Sequence, residues 1–281
     1  MICEKIDLYQ HFGIERNGAN GGYLYTYSRM LSPELKPHVR PAMVVLPGGG
    51  YQFLSDREGE PVALAYLNKG YSAFVLKYSI FAAHPTPLIE ACLAVAYVRE
   101  NAEKYNVDVN HVAAIGFSAG GHLCGTLATL YAESEVVSAL GEHAAHCKPN
   151  AVVLSYPVVT MRDGLTHEGT RYEICDHGKI AYDSLSVEKL VTDQSVPAFI
   201  WHTMEDNCVP VENSLLLANA YKQANVPFSL HVFEKGWHGL SLINAETCDE
   251  NAADLQLYHV GKWLDLSLDW LFARGFKVMV K

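Results

Sequence analysis

The chain is short of several features, and each shortage removes a class of function. Its 281 residues carry 21 Lys and Arg against 31 Asp and Glu, a formal net charge of −10. A surface with so little basic surplus offers no footprint for nucleic acid or an anionic membrane, which leaves neutral or cationic small molecules as partners. No apolar stretch reaches the length of a bilayer-crossing helix. The amino terminus, Met1 to Asp7, lacks a basic segment followed by an apolar run, so a cytoplasmic location is expected. The seven cysteines are odd in number, scattered and without a Cys-x-x-Cys pair. Neither a disulfide framework nor a zinc site is indicated, and free thiols in a reducing compartment are expected. Neither Gly-x-x-x-x-Gly-Lys-Ser/Thr nor Gly-x-Gly-x-x-Gly occurs, so no nucleotide-binding pattern is present. No internal repeat, linker or charge run divides the chain, and residues 1–281 are expected to form a single domain.

What is present is an alternation of apolar runs and helical patterns. Ala42 to Leu46, Tyr71 to Leu76, His111 to Ile115, Ala151 to Ser155, Val196 to His202 and Phe228 to Phe233 read as buried strands. Between them, Glu60 to Lys69, the segment from Pro85 to about Tyr105, Ser118 to Tyr131 and Glu212 to Gln223 carry apolar residues at helical spacing, and a last helix is expected from Asp254 to Arg274. This order predicts an α/β fold, a mostly parallel central sheet with helices on both faces. Lys5 to Tyr9 and Tyr23 to Tyr27 are expected to add an antiparallel edge hairpin. Between Pro157 and Ser195 the periodicity fails, and a stretch this long is a candidate cap or lid over a site. Ligands of such sheets bind beyond the carboxyl ends of the strands.

Those ends carry the residues with chemistry. Gly116-Phe117-Ser118-Ala119-Gly120 places a serine on a strand-to-helix turn between glycines, the Gly-x-Ser-x-Gly form of a nucleophile elbow. An alcohol needs a base, and the base needs an orienting acid. His238, in the loop Lys235-Gly236-Trp237-His238-Gly239 after the last strand, is the candidate base. His202, His231 and His122 have ordinary packing roles open to them. The acid is expected after the strand ending at His202, with Asp206 preferred, Glu205 the competitor, and helix capping the alternative role for either. An acyl-transfer site also needs preplaced backbone N–H groups for the oxyanion. Ala119 follows the nucleophile, and Gly49 and Gly50 in Pro47-Gly48-Gly49-Gly50-Tyr51 are the other candidates. Tyr51 and Trp237 are possible substrate contacts, with core packing the alternative for both. Such a mechanism needs no metal and no organic cofactor.

Taken together, LPGGGY, VRENAEKYNVDVNHVAAIGFSAGGHL, HTMEDNCVP and EKGWHGL resemble the α/β-hydrolase esterases related to bacterial acetyl and xylan esterases and to the feruloyl-esterase-like branch. The resemblance runs from about Met43 to the last helix. It implies the α/β-hydrolase fold, a triad of Ser118, Asp206 and His238 in that chain order, and an oxyanion site at Gly49, Gly50 and Ala119. It also implies a carboxylesterase for short-chain esters, above all O-acetyl groups of sugars or oligosaccharides. Pro47 stands where related enzymes usually carry a histidine, so that residue's role does not transfer. An aryl-formamide hydrolase or small peptidase would use the same triad, and a catalytically silent binding module would keep only the fold.

Overall fold

The computed structural model describes residues 1–34, 39–248 and 257–278. Eight strands form its sheet: β1 (Lys5–Asp7), β2 (Tyr23–Tyr27), β3 (Arg40–Leu46), β4 (Ser72–Lys77), β5 (Val107–Phe117), β6 (Ala151–Ser155), β7 (Ala198–Thr203) and β8 (Phe228–Phe233). The helices are α1 (Leu8–Phe12), α2 (Glu60–Asn68), α3 (Thr86–Glu100), α4 (Ala102–Tyr105), α5 (Ala119–Leu130), α6 (Ser134–Leu140), α7 (Glu168–Ile174), α8 (Val187–Leu190), α9 (Glu212–Gln223) and α10 (Trp263–Ala273). The strand order is β1-β2-β4-β3-β5-β6-β7-β8. Pairing is antiparallel from β1 to β2 and from β2 to β4, and parallel through the other six strands.

The pleat explains why the central strands are apolar throughout. Along β3, Ala42, Val44 and Leu46 belong to one core, whereas Met43 and Val45 belong to another on the opposite face. The first core holds buried residues of α3, α5 and α9, the second those of α2 and α10. A strand covered on both sides has no position at which a polar side chain could reach water, so its sequence becomes a continuous apolar run. Every carboxyl end of β3 to β8 consequently points to the same edge of the sheet, and the loops that leave those ends meet there.

Several boundaries differ from the expected ones. The first strand stops at Asp7 rather than Tyr9, because the Asp7 side chain accepts the Gln10 N–H and starts α1, which Gly13 closes at φ 66°. The expected helix up to Tyr105 is broken at Asn101, whose side-chain amide donates to the Tyr97 carbonyl. Asn106, at φ 56°, then turns the chain into β5, four residues earlier than His111. Helix α6 was not anticipated. Asp254, the expected start of the last helix, lies outside the described residues, and α10 begins at Trp263. Segment 157–195 contains α7, α8 and short 3-10 turns, and it packs Val158, Val159, Met161, Ile174, Leu185 and Val187 into the first core.

Candidate active site

The site is built on the turn from β5 to α5. Ser118 caps α5 with φ 54° and ψ −118°, a conformation that non-glycine residues seldom adopt. Three backbone hydrogen bonds pin it there: its N–H donates to Ser155 O (3.0 Å), and its carbonyl accepts from His122 N (3.0 Å) and Val158 N (3.1 Å). The flanking glycines have a measurable reason. A Cβ on Gly116 would lie 2.0 Å from the Gly120 carbonyl oxygen, and one on Gly120 would lie 2.2 Å from the Leu46 carbonyl oxygen. Only side-chain-free residues allow α5 to start this close to β3 and β5.

Two loops from the neighbouring strand ends complete the chain of polar contacts. His238 Nε2 lies 2.8 Å from Ser118 Oγ, and His238 Nδ1 lies 2.7 Å from Asp206 Oδ2. An ionised carboxylate can only accept, so Nδ1 carries the proton and Nε2 is left to accept from the serine hydroxyl. Asp206 is buried, and its Oδ1 takes the N–H groups of Cys208 (3.0 Å) and Val209 (2.8 Å). His202 Nε2 stands 3.3 Å from Asp206 Oδ2 and 2.9 Å from the Val209 carbonyl, while its Nδ1 pairs with Ser214 Oγ at 2.8 Å. Burial by itself would raise the Asp206 pKa. The hydrogen bonds from His202, His238 and the Val209 N–H outweigh it, and the carboxyl is held well below the usual carboxylate range. Glu205 is turned elsewhere, onto Lys235 Nζ (2.7 Å) and Gly236 N (3.2 Å).

The glycine loop after β3 faces Ser118. Gly49 and Gly50 have φ values of 129° and 65°, and among the described residues their N–H groups donate to no protein acceptor. Ala119 opens α5, where first-turn N–H groups have no intrahelical partner. Where the resemblance expects a histidine to order the loop, other groups act. Tyr78 Oη donates to the Pro47 carbonyl (2.5 Å), and Gly48 N donates to Glu58 Oε2 (2.8 Å). Glu58 is a residue the sequence did not single out. Its Oε1 accepts from Tyr156 Oη (2.7 Å), and that oxygen in turn accepts from Ser241 N (3.0 Å). The Tyr156 ring meets the His238 ring edge-on at 5.1 Å. One buried carboxylate thus ties the glycine loop to the loop that carries His238. Burial raises its pKa, against the opposing hydrogen bonds from Tyr156 and Gly48.

A cleft of about 270 Å³ lies over these groups, lined by Gly49, Gly50, Ser118 and His238 together with Gln52, Phe53, Arg57, Glu58, His167 and Cys208. His167 comes from segment 157–195, and Gln52 Nε2 reaches Glu173 Oε1 of the same segment at 3.0 Å. Tyr51 does not reach the cleft. It is fully buried, and its hydroxyl lies 2.9 Å from His122 Nδ1. Of the two roles open to Tyr51, this position is that of core packing. His122 is held neutral by burial, its pKa pushed down to about 4. Trp237 is 42% exposed and does not line the cleft either.

Comparison with known proteins agrees with this architecture. A family model described as BD-FAE matches residues 30–221, more than half of the chain. The chain belongs to the BD-FAE family. An endo-1,4-beta-xylanase B of Butyrivibrio fibrisolvens is 41% identical over 217 residues, 74% of this chain but 33% of that protein. An acetylxylan esterase of Xylanibacter ruminicola is 31% identical over 208 residues, 70% of this chain and 40% of that protein. The chain thus spans a third to two fifths of the length of these curated relatives. Among solved structures, an acetyl ester-xyloside bifunctional hydrolase from Caldicellulosiruptor lactoaceticus is 33% identical with a TM-score of 0.80, covering 98% of this chain and 97% of that one. The carboxylesterase Cest-2923 from Lactobacillus plantarum is 27% identical with a TM-score of 0.83, covering both chains completely. The fold of this BD-FAE member is that of the α/β-hydrolases, its sheet mostly parallel as expected. Among the described residues, no helix is long and apolar enough to cross a membrane.

Proposed function

We propose that this BD-FAE member is a serine carboxylesterase for short-chain esters, above all O-acetyl groups of sugars or oligosaccharides. The observation that carries the reading is the continuous chain Ser118–His238–Asp206, with contacts of 2.8 and 2.7 Å at the floor of an open cleft. In this reading Ser118 Oγ attacks the ester carbonyl while His238 Nε2 takes its proton. The oxyanion is met by N–H groups of Gly49, Gly50 and Ala119, and His238 then protonates the leaving alcohol. Water, deprotonated by His238, attacks the acyl-serine; the released acid and the free hydroxyl of Ser118 close the cycle. Asp206 holds the imidazole in its productive tautomer and stabilises the imidazolium. Segment 157–195 acts as a small cap, placing His167 at the cleft wall. The acetyl-sugar substrate class is supported by the relatives named for xylan and acetyl ester hydrolysis.

The test combines labelling with a substrate panel. A fluorophosphonate should modify Ser118, located by mass spectrometry, and Ser118→Ala and His238→Ala should each lower hydrolysis of p-nitrophenyl acetate by several orders of magnitude. The double variant should be little worse than either single one. Acetate should exceed octanoate in kcat/KM, and acetylated xylo-oligosaccharides should be hydrolysed. Near-normal turnover by Ser118→Ala would end the serine-hydrolase reading, whereas preference for a formamide, an aminoacyl substrate or octanoate would keep the triad and remove the acetyl-ester assignment.

A further inference from the structure

A second cavity, of about 550 Å³, adjoins the cleft and shares one residue with it, Arg57. Arg57 therefore lines both spaces. Its Nη2 lies 3.5 Å from where a Cβ on Gly239, the residue after His238, would stand, and its Nη1 donates to the Thr247 carbonyl at 3.3 Å. The second cavity is lined by Tyr25, Tyr27, Asp56, Arg57, Glu60 and Lys77, among others. Its volume falls within the usual range of small-ligand sites.

The lining has a definite chemical character. Tyr25 and Tyr27 stand two residues apart on β2 and therefore on the same face of the sheet, half-buried against the second core. They present aromatic surface fixed by a paired strand rather than by a loop. Around them stand acceptors and donors of both signs: Glu60, Lys77 paired with Asp56 at 2.8 Å, and Arg57. Carboxylates at the wall disfavour a phosphate or a polyanion. An aromatic platform ringed by mixed donors and acceptors suits a neutral polyol, whose ring has an apolar C–H face and hydroxyls at its rim.

We propose that this second cavity is an oligosaccharide subsite, which holds unreacted sugar units of a substrate while one acetyl group reaches Ser118 past Arg57. The proposal rests on the acetyl-sugar esterase reading and adds to it a determinant of substrate length outside the catalytic cleft.

The experiment compares acetylated xylotetraose, monoacetylated xylose and p-nitrophenyl acetate on the wild-type protein and on Tyr25→Ala, Tyr27→Ala and the double variant. The wild type should favour the tetraose over the monosaccharide ester. Each ring removed should raise KM for the tetraose roughly two- to tenfold, the size of one aromatic contact, so that the kcat/KM ratio of tetraose to p-nitrophenyl acetate falls. Turnover of the small ester reports that the variant is folded. If the alanine variants fail to fold, wild-type hydrogen exchange with unacetylated xylotetraose decides: slowed exchange at residues 23–27 supports the subsite. Unchanged exchange there, an unchanged ratio in folded variants, or no preference for length overturns the subsite and leaves the esterase reading standing. No hydrolysis of any acetylated sugar would remove the substrate class itself.

Discussion

Glu58→Ala removes a side chain that is 3% exposed and accepts from both Gly48 N and Tyr156 Oη. Both donors lose their acceptor, at about 1–3 kcal/mol for each buried group left unpaired. The expected loss is therefore about 2–6 kcal/mol, and water entering from the cleft that Glu58 lines places it near the lower bound. Against a whole-domain stability of roughly 5–15 kcal/mol, this is a large fraction. Glu58→Gln behaves differently: its amide oxygen can still accept from Gly48, while its NH2 faces the Tyr156 hydroxyl, which loses its acceptor, so the variant gives up one buried hydrogen bond instead of two, together with the charge. The two variants separate further with pH. The folded pKa of Glu58 lies above its ordinary value of 4.5, so between the two values the native state binds more protons than the unfolded one. Stability from this group consequently falls as pH rises from 4.5 through the folded value, and Glu58→Gln removes that slope. Asp206 has the opposite sign: its depressed pKa contributes stability above the ordinary 3.8 that is lost on acidification. The assay is thermal unfolding across pH for the three proteins, with kcat/KM for p-nitrophenyl acetate alongside. Expected are a lowered Tm and slowed turnover for Glu58→Ala, and for Glu58→Gln a Tm that gains on the wild type as pH rises. A Tm of Glu58→Ala equal to wild type, or parallel pH curves for Glu58→Gln and wild type, would refute the reasoning.

Three further outcomes follow from the same geometry. Asp206→Asn should lower kcat by about 10⁴, the loss known for this template when the imidazole is held in the wrong tautomer, whereas Glu205→Gln, which touches Lys235 and Gly236 instead of His238, should stay within a few-fold of wild type in the same esterase assay. Gly120→Ala would set a Cβ 2.2 Å from the Leu46 carbonyl oxygen and should lower unfolding stability by at least about 1–3 kcal/mol in urea titration.

The elbow was legible because its constraints are local: β5 reads as an apolar run, and the glycines that crowding demands stand within two residues of Ser118. The order of sheet and helices was legible for the same reason. Glu58 was not. It sits in Ser55-Asp56-Arg57-Glu58-Gly59-Glu60, a charged stretch that reads as solvated surface, and its burial depends on Tyr156, 98 residues away. His202 was read only as the end of a strand, because its contact with Asp206 exists only once the loop folds back. Tyr51 was legible only as a pair of alternatives, cleft or core, because its burial beside His122 depends on a residue 71 positions away.

The backbone of Ser118 has a consequence for how such a chain can change. A residue with a Cβ held at φ 54° and ψ −118° stores about 1–3 kcal/mol relative to relaxed conformations. Glycine would release that energy at no steric cost, and it is reached from serine by deleting a single side chain. Selection for thermal robustness alone would therefore drift toward Ser118→Gly and discard the hydroxyl, as would any directed-evolution screen scored on folding. A library intended to harden this protein needs a turnover filter at every round, since a mutation that relaxes the backbone here also removes the proposed nucleophile.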